Sequence, residues 1–310
     1  MQIFDSFKSS LNQSLDLFLG HKIVIKREDL LHPRVSGNKF RKLKYIFQEI
    51  KEKEVSALLT FGGAFSNHLA AIAYAGMNSG VHMIGIVRGD EWGRKIHESA
   101  TLNYCVSQGM ELHCISRDIY AQKEQAPIVT KLMKKIPGLR IIPEGGTEPL
   151  AVKGCLEILQ SEDLNFDVIC SSVGTGGTIA GLVNSSNDNQ NLIGFNALNN
   201  TEIVHTIEEL TNKKNWSIEN DYTFGGYAKI KPTLISFMND FYQQYRIPLD
   251  PIYTGKMVFG IFDLIKKDKW PWGKKILIIH TGGLQGVEGM NAQLQKKGYP
   301  TLQYGEKLHF

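Results

Sequence analysis

The chain has 310 residues, of which 42% are hydrophobic and 21% are charged, a composition typical of a globular protein with a sizeable core and, at this length, of two domains rather than one. The formal charge of +4 comes from 35 basic and 31 acidic residues that are spread along the chain without a long basic run. We therefore expect no nucleic-acid partner, although a local basic pocket for an anionic ligand stays open.

The N-terminal sequence MQIFDSFKSSLNQ lacks the charged start and apolar run of a signal peptide. No apolar run is long enough to predict a membrane-spanning helix. Neither a zinc-site spacing nor a C-x-x-C redox motif fits the four cysteines, which are Cys105, Cys114, Cys155 and Cys170. These features predict a cytoplasmic protein with reduced, mostly packed thiols, no metal site and no membrane partner.

Short apolar runs alternate with longer amphipathic stretches along the chain. The predicted strands are 22–26, 57–61, 82–87, 111–115, 139–143, 167–172, 192–197 and 275–280, and the predicted helices include 66–79, 91–108, 146–160, 232–245 and 255–268. Most of these strands are unbroken apolar runs, as expected when both faces of a sheet are covered. The order predicts an α/β protein with open, twisted, mostly parallel sheets.

The segment VSGNKFRKLKYIF, residues 35–47, combines a helical apolar pattern with four cations. At about 100° per residue, Lys39 falls in the middle of the apolar arc and is predicted to be the only cation that points inward. The cations predicted outside that arc are Arg41, Lys42 and Lys44. Lys39 either extends from the first turn of the helix to water or is a partly buried amine whose lowered pKa suits a Schiff base or a proton transfer.

Four predicted strands end in a Gly-Gly pair that leads to the next helix. The four turns are TFGGAFSN (60–67), PEGGTEP (143–149), GTGGT (174–178) and HTGGLQG (280–286). Ligands of parallel sheets bind outside the carboxyl ends of the strands, where free N–H groups of helix N-termini are available. Together the turns predict one crevice, although glycine pairs also serve tight turns and close packing.

The third of these turns is the strongest local signal for a ligand. A strand delivers Gly174, Thr175, Gly176, Gly177 and Thr178 to the start of an apolar helix, so several N–H groups and two hydroxyls can surround a phosphate. The pattern matches neither the G-x-x-x-x-G-K-[ST] nor the G-x-G-x-x-G fingerprint. It predicts a site for a single phosphate monoester, with a Gly-rich helix cap as the alternative.

Two further pairs of polar residues precede predicted helices. Ser66 and Asn67 fit N-cap positions, but after a glycine pair their hydroxyl and amide could also hold an oxyanion or a phenolate. Tyr253 and Thr254 follow a proline turn. This tyrosine is either a packing contact at the helix entrance or a ring that stacks on a ligand.

A resemblance to a known family emerges from six segments taken in order: KRED (26–29), SGNKFRKL (36–43), GGAFSNH (62–68), GTGGT (174–178), LDPIYTGK (249–256) and HTGG (280–283). They resemble the fold-type II (tryptophan synthase β-like) enzymes that use pyridoxal 5'-phosphate, and within them the family of 1-aminocyclopropane-1-carboxylate deaminase and D-cysteine desulfhydrase. The resemblance implies a large cofactor-binding domain, residues 1–40 and 144–310, and a small domain, residues 41–143, that closes over a small amino-acid substrate. It also implies a homodimer.

The resemblance assigns roles to individual residues. In that family the lysine of the G-N-K motif forms the Schiff base with the cofactor, which implies this role for Lys39, and the Gly-Thr loop described above holds the phosphate. The asparagine of the S-N pair bonds the phenolic oxygen of the cofactor, here Asn67. The neighbouring serine, Ser66, faces the substrate and takes part in proton transfer. A tyrosine equivalent to Tyr253 packs by the cofactor ring, and Tyr227 in FGGYAK is similar to a second active-site tyrosine.

Departures from the family pattern concern the substrate. The deaminase branch has glutamate and leucine where this chain has Thr254 and Thr281, both implied to lie by the cofactor, and the desulfhydrase branch has threonine at both. A carboxylate would keep the pyridine nitrogen protonated and strengthen the electron sink, so the threonines favour β-elimination over opening of a cyclopropane. Phe65 replaces a glutamine that could bond the substrate carboxylate, which leaves the amino acid itself open.

The leading hypothesis is therefore a lyase that uses pyridoxal 5'-phosphate to convert D-cysteine to pyruvate, sulfide and ammonia, with Lys39 as the base. The first alternative is a deaminase of 1-aminocyclopropane-1-carboxylate, which forms 2-oxobutyrate and ammonia. A racemase or dehydratase acting on serine or threonine is a second alternative. A cofactor-binding module without catalysis is the third.

Overall fold

The structure, a computed structural model, describes residues 2–4 and 9–304. Strands and helices alternate there as expected for an α/β protein. The strands are β1 (Asn12–Ser14), β2 (Lys22–Lys26), β3 (Ala57–Gly63), β4 (His82–Arg88), β5 (Glu111–Ile115), β6 (Arg140–Ile142), β7 (Val168–Val173), β8 (Asn191–Asn196), β9 (Trp216–Glu219) and β10 (Lys275–Ile279). The helices are α1 (Asn38–Glu52), α2 (Asn67–Met77), α3 (Ala100–Ser107), α4 (Arg117–Ala121), α5 (Pro127–Lys135), α6 (Pro149–Cys155), α7 (Gly177–Ser185), α8 (Ile203–Leu210), α9 (Pro232–Tyr245), α10 (Thr254–Lys266) and α11 (Gly286–Lys296).

The larger of two sheets has six strands in the order β1-β2-β10-β7-β8-β9, all parallel except β1, which pairs antiparallel with β2. Successive side chains of each strand point to opposite faces of this sheet, and helices cover both faces of its inner strands. Ile23 and Ile25 pack into a core with α9 and α10, whereas Val24 packs with α7 and α8 on the other face. This arrangement confirms the predicted fold class.

The smaller sheet has four parallel strands in the order β5-β4-β3-β6. Leu58 faces a core that includes side chains of α1, α2 and α3, and the next residue, Leu59, faces a core shared with α5. All four strands lie between residues 57 and 142. The division into domains at residues 41 and 144 stays a prediction. In the described part of the chain, no helix is long and apolar enough to cross a membrane.

All eight predicted strands are present, each within about two residues of its expected bounds. The expected helix over 91–108 is wrong in its first half, because two short 3₁₀ turns precede α3. Ser99 sets the start of α3, since its hydroxyl accepts a hydrogen bond from the N–H of Leu102 at 3.1 Å. The expected helix over 146–160 shortens to α6.

The prediction that Lys39 alone points inward from α1 is also wrong. Arg41 and Lys42 are almost fully buried, with exposed fractions of 0% and 2%. Arg41 donates two hydrogen bonds of 2.9 Å to the carboxylate of Glu28. The backbone of α1 touches α6 so closely that a Cβ on Gly154 would lie 1.9 Å from the Arg41 carbonyl oxygen. The polar side of α1 is therefore buried because α6 covers it, Glu28 neutralises the charge of Arg41, and neutral acceptors bind the amine of Lys42.

Candidate active site

One cavity of about 660 Å³ lies at the carboxyl ends of strands from both sheets. Each of the four Gly-Gly turns contributes to its lining, through Gly63, Gly145, Gly174, Gly176, Gly282 and Gly283. The sequence-based expectation that these turns share one crevice is confirmed. Among the other residues with an expected role, those that line the cavity are Lys39, Phe65, Ser66, Asn67, Thr175, Thr178, Tyr227, Tyr253 and Thr281.

Lys39 brings a primary amine into this cavity from the first turn of α1. Its Nζ donates to Oδ1 of Asn38 at 3.1 Å, and Nδ2 of Asn38 donates to the hydroxyl of Thr178 at 2.9 Å. Burial, and then the charge of Lys42, lower the pKa of Lys39 to about 7, although Cys155 and Asp250 act in the opposite direction. A large share of this amine is therefore neutral and nucleophilic near pH 7.

The loop of residues 174–178, which the sequence predicts to bind a phosphate, joins β7 to α7. Gly176 has a φ of 86°, in the left-handed region that favours glycine. The Thr175 hydroxyl lies 2.5 Å from that of Thr147 on the neighbouring turn. A Cβ on Gly177 would lie 3.0 Å from the Thr147 hydroxyl, so a larger residue there would have to displace this side chain slightly, although Gly177 itself is not a lining residue. The loop exposes backbone and hydroxyl groups to the cavity.

Lys42 adds a cation beside this loop. Its Nζ donates to the carbonyl of Gly145 at 2.9 Å and to the hydroxyl of Thr147 at 3.1 Å. The same atom would be 3.2 Å from a Cβ on Gly177. Burial lowers the pKa of Lys42 to about 8. A mostly protonated amine therefore borders the loop at neutral pH, which suits an anionic ligand.

The first turn of α2 has two polar residues with different surroundings. Ser66 is the N-cap residue, and its hydroxyl accepts from the N–H of Leu69 at 3.2 Å. Oδ1 of Asn67 is buried and has no hydrogen-bond partner among the described residues. The Asn67 amide also fits closely against Gly283, since a Cβ there would lie 2.8 Å from Nδ2. A buried amide oxygen without a partner is costly and calls for a ligand group.

Two tyrosines and a pair of hydroxyls also line the cavity on the side of the larger sheet. Burial raises the pKa of Tyr227 to about 12 and that of Tyr253 well above its usual range, so both phenols stay neutral. The ring of Tyr253 lies near the loop, 3.2 Å from where a Cβ on Gly174 would be. The hydroxyls of Ser172 and Thr281 are 3.2 Å apart.

Thr254 does not line the cavity, so the expected contact of its side chain with the ligand is not supported. Its hydroxyl donates to Oδ2 of Asp250 at 2.9 Å, and its N–H donates to the same atom at 2.7 Å. Asp250 is a fully buried carboxylate that also accepts from the N–H groups of Ile252 and Tyr253. The threonine hydroxyl is turned inward because this carboxylate needs donors.

Phe65, which stands where the family pattern has a glutamine, lines the cavity. Its ring packs edge-on against Trp92, with a centroid separation of 5.5 Å. It also lies 3.5 Å from where a Cβ on Gly289 would be. This packing makes the part of the wall next to Ser66 apolar.

Sequence reasoning missed several polar residues of the cavity, namely Asn38, Lys42, Arg88, Lys123, Glu144 and Thr147. Two of them carried usable signals. Lys42 follows Lys39 by three positions, which places both on one side of a helix. Arg88 is the last residue of β4, at the carboxyl end where ligands bind. In the described part of the chain, no group of three or more His, Cys, Asp or Glu residues could hold a metal ion.

The fold and this site define a class of protein: an α/β protein with a lysine of lowered pKa and a loop rich in glycine and threonine in one cavity. The chain belongs to the family of pyridoxal-phosphate dependent enzymes, whose sequence model matches residues 10–282. Its cofactor is pyridoxal 5'-phosphate, and the predicted fold type II is confirmed.

Individual relatives narrow the position within the family. The chain is 30% identical to a putative 1-aminocyclopropane-1-carboxylate deaminase of Pyrococcus furiosus, over 95% of this chain and 90% of that protein. It is 28% identical to the mitochondrial bifunctional D-cysteine desulfhydrase/1-aminocyclopropane-1-carboxylate deaminase of Arabidopsis thaliana, over 86% of this chain and 74% of that protein. A crystal structure of an ACC deaminase homologue superposes with a TM-score of 0.76 and 26% identity, covering 97% of this chain and 93% of that one. The resemblance to the deaminase and desulfhydrase family is thereby confirmed.

The residues present fit pyridoxal phosphate. A cradle of glycines and hydroxyls beside Lys42 suits its phosphate, and a neutral amine on Lys39 suits its aldehyde. The buried Asn67 amide, which has an oxygen without a partner, suits a polar substituent of its ring. Because the amide can be flipped, either its donor or its acceptor can face that substituent.

Proposed function

We propose that this enzyme catalyses β-elimination from a small D-amino acid, with D-cysteine as the substrate and pyruvate, sulfide and ammonia as the products. The observation that carries the proposal is the Lys39 amine, whose pKa of about 7 places a usable base and nucleophile in the cavity that also contains the phosphate cradle. The D configuration follows from the resemblance of the motifs to those of D-cysteine desulfhydrase.

In this proposal six features of the chain hold the cofactor. The loop 174–178 and Lys42 bind its phosphate, Lys39 binds its aldehyde carbon covalently, Asn67 bonds its phenolic oxygen, and Tyr253 packs by its ring. The hydroxyls of Ser172 and Thr281 serve the ring nitrogen. The bound cofactor supplies an electron sink for the electrons of the Cα–H bond.

The residues of the chain move one proton and stabilise one leaving group. With the cofactor bound, Nζ of Lys39 would be the base that accepts the proton from Cα of the substrate. The electron pair of the Cα–H bond forms the Cα–Cβ double bond, and the Cβ–S bond breaks with its pair on sulfur. The leaving hydrosulfide would take up the proton that Lys39 removed from Cα, with Ser66 and Tyr227 as the proposed hydrogen-bonding neighbours in this transfer. The released 2-aminoacrylate then reacts with one water to give pyruvate and ammonia.

The distribution of carboxylates favours elimination over ring opening. Among the described residues, the carboxylates that line the cavity are Glu124 and Glu144, both on the side of the smaller sheet. On the side of the larger sheet, the hydroxyls of Ser172 and Thr281 line the cavity. Asp250 does not line it, and its carboxylate accepts hydrogen bonds from its own turn. Without a carboxylate beside it, the ring nitrogen is protonated less strongly and the electron sink is weaker. Removal of an α-proton makes a smaller demand on that sink than cleavage of a cyclopropane.

A second candidate function comes from the names of the relatives. The P. furiosus protein carries the name of a putative deaminase alone, and the A. thaliana protein carries the names of both activities. Deamination of 1-aminocyclopropane-1-carboxylate would use the same Lys39 and the same cradle. It would release 2-oxobutyrate instead of pyruvate and no sulfide.

The two candidates separate in one assay. The holoprotein is incubated with D-cysteine, L-cysteine or 1-aminocyclopropane-1-carboxylate, and pyruvate, 2-oxobutyrate and sulfide are measured. We expect equal amounts of pyruvate and sulfide from D-cysteine, and neither from the Lys39→Ala variant. Formation of 2-oxobutyrate from the cyclopropane without turnover of D-cysteine would replace the first proposal by the second. Turnover of L-cysteine alone would reject the D configuration.

The domain division is part of the proposal as well. We assign residues 1–40 and 144–310 to the large domain and residues 41–143 to the small one. The cavity has lining residues from both, including Tyr253 and Arg88, so closure of one domain over the other would shield the reacting atoms from water. A homodimer and a cytoplasmic location complete the proposal.

A further inference from the structure

One cation of the cavity has no polar partner. The four cations that line it among the described residues are Lys39, Lys42, Arg88 and Lys123. Lys39 donates to Oδ1 of Asn38, and Lys42 donates to the Gly145 carbonyl and the Thr147 hydroxyl. Lys123 pairs with the Glu144 carboxylate at 2.5 Å. The side chain of Arg88 makes no hydrogen bond and no ion pair with any described residue. Its guanidinium therefore has five free donors at the cavity wall.

The position of Arg88 brings these donors to the turn that precedes α2. Nη2 lies 3.7 Å from where a Cβ on Gly63 would be. The Gly63 carbonyl in turn accepts the N–H of Ser66 at 3.0 Å, which closes the turn. The guanidinium thus borders the segment that carries Ser66, which the proposed reaction places next to the substrate, and Asn67, which it places on the cofactor.

Two aromatic rings restrain the guanidinium without using its N–H groups. Its Cζ lies 5.8 Å from the ring centroid of Tyr227 and 5.9 Å from that of Tyr120. The Tyr120 hydroxyl is itself anchored, because it donates to Glu144 at 2.8 Å. Cation–π contacts of this kind hold the planar group in place while its edge stays available.

Every α-amino acid brings a carboxylate into the site, and that carboxylate needs donors or a counter-charge. Phe65, at the wall beside Ser66, offers an apolar ring. We propose that Arg88 binds the α-carboxylate of the amino-acid substrate through the paired N–H groups of its guanidinium. The planar fork matches a carboxylate in a bidentate arrangement that lysine cannot reproduce. This inference rests on the proposed function in one respect, that the substrate is an amino acid.

The test compares two amines that differ only in the carboxylate. The holoprotein is titrated with D-alanine, which has no leaving group on Cβ, and with ethylamine, which is D-alanine without its carboxylate. The change in the visible spectrum of the cofactor gives the Kd of each. The same titrations are made on Arg88→Met, on Arg88→Lys, and on Arg94→Met, which removes a nearby exposed arginine that does not line the cavity.

We expect the ratio of the ethylamine Kd to the D-alanine Kd to fall about tenfold in Arg88→Met, the size of one charged hydrogen bond. The ratio should be intermediate in Arg88→Lys and unchanged in Arg94→Met. An unchanged ratio in Arg88→Met would overturn the inference. The inference would also be overturned if Arg88→Met lost affinity for D-aspartate and kept its affinity for D-alanine, because that result would show that Arg88 binds an anionic side chain. Absence of D-cysteine turnover in the unaltered protein would reject the elimination alone, since the D-alanine ratio would still report on Arg88.

Discussion

Lys39 and Lys42 lie one turn apart on α1, and the charge of Lys42 is the second cause, after burial, of the lowered pKa of Lys39. The charge of Lys42 therefore affects the protonation of Lys39. Lys42 borders the loop that fits a phosphate, whereas Lys39 needs to be neutral to attack an aldehyde. The cation that we propose to bind the cofactor's phosphate thus also favours loss of a proton from the amine that we propose to react with the cofactor.

This relationship predicts how cofactor capture depends on pH. The Lys39 amine reacts only when neutral, so the rate at which the cofactor-free protein takes up pyridoxal phosphate should rise with pH, bend near pH 7 and then level off. An ordinary lysine, with its pKa at 10.5, would show a continued rise across this range. Stopped-flow absorbance at several pH values measures the rate. A rate that still rises about tenfold per pH unit above pH 8 would contradict the lowered pKa.

Replacement of Lys42 tests the same coupling. In Lys42→Met the nearby positive charge is gone, so the pKa of Lys39 should rise and the midpoint of the rate profile should move to higher pH. The matched control is Lys51→Met, which removes an exposed lysine from the last turn of the same helix and should leave the midpoint in place. A midpoint that moves downward in Lys42→Met would show that the charge acts in the opposite direction.

The unpartnered amide of Asn67 should matter for the cofactor and not for the fold. In Asn67→Ala we expect the Kd for pyridoxal phosphate to rise about fivefold to tenfold, the value of one hydrogen bond. The free energy of unfolding of the cofactor-free protein should stay the same or increase, because a buried oxygen without a partner is removed. Equilibrium dialysis and urea unfolding measure the two quantities, with the exposed Asn103→Ala as the control. An unchanged Kd would remove Asn67 from the cofactor site.

Lys256 is expected to hold the segment that carries Tyr227. Its buried Nζ donates to the carbonyls of Gly226 at 2.7 Å, Thr223 at 2.8 Å and Ala197 at 3.3 Å. Lys256→Met leaves these acceptors without their donor, so unfolding in urea should require about 2–3 kcal/mol less free energy. The exposed Lys266→Met on the same helix should change stability by less than about 0.5 kcal/mol. Equal stabilities of the two variants would mean that the carbonyls find other donors.

Much of the fold could be predicted because its strands are buried on both faces. The runs KIVIK and KILII form adjacent inner strands of the larger sheet, and their apolar residues alone predict both strands. The two strands that were missed, Asn12–Ser14 and Trp216–Glu219, lie at its two edges. An edge strand is covered less and can be polar, so it carries no apolar run to detect.

The position of Lys39 at a ligand cavity could be predicted, but the surroundings of its helix could not. A helical wheel assumes one buried face, and Arg41 lies outside the apolar arc of α1. Its burial depends on Glu28, which is remote in sequence, and on α6, which approaches through Gly154. The direction of the Thr254 side chain could not be predicted for a similar reason, since its hydrogen bond to Asp250 is visible only in three dimensions. Contacts between distant segments leave no local pattern.

The most direct test of the central claim, that Lys39 carries the cofactor, is to reduce the holoprotein with borohydride and map the modified peptide by mass spectrometry. Reduction fixes the cofactor to the lysine that holds it. We expect the phosphopyridoxyl group on Lys39, and its loss from the folded Lys39→Ala variant. A group found on Lys42 or Lys256, or a Lys39→Ala variant that keeps the visible absorbance of the bound cofactor, would contradict the account.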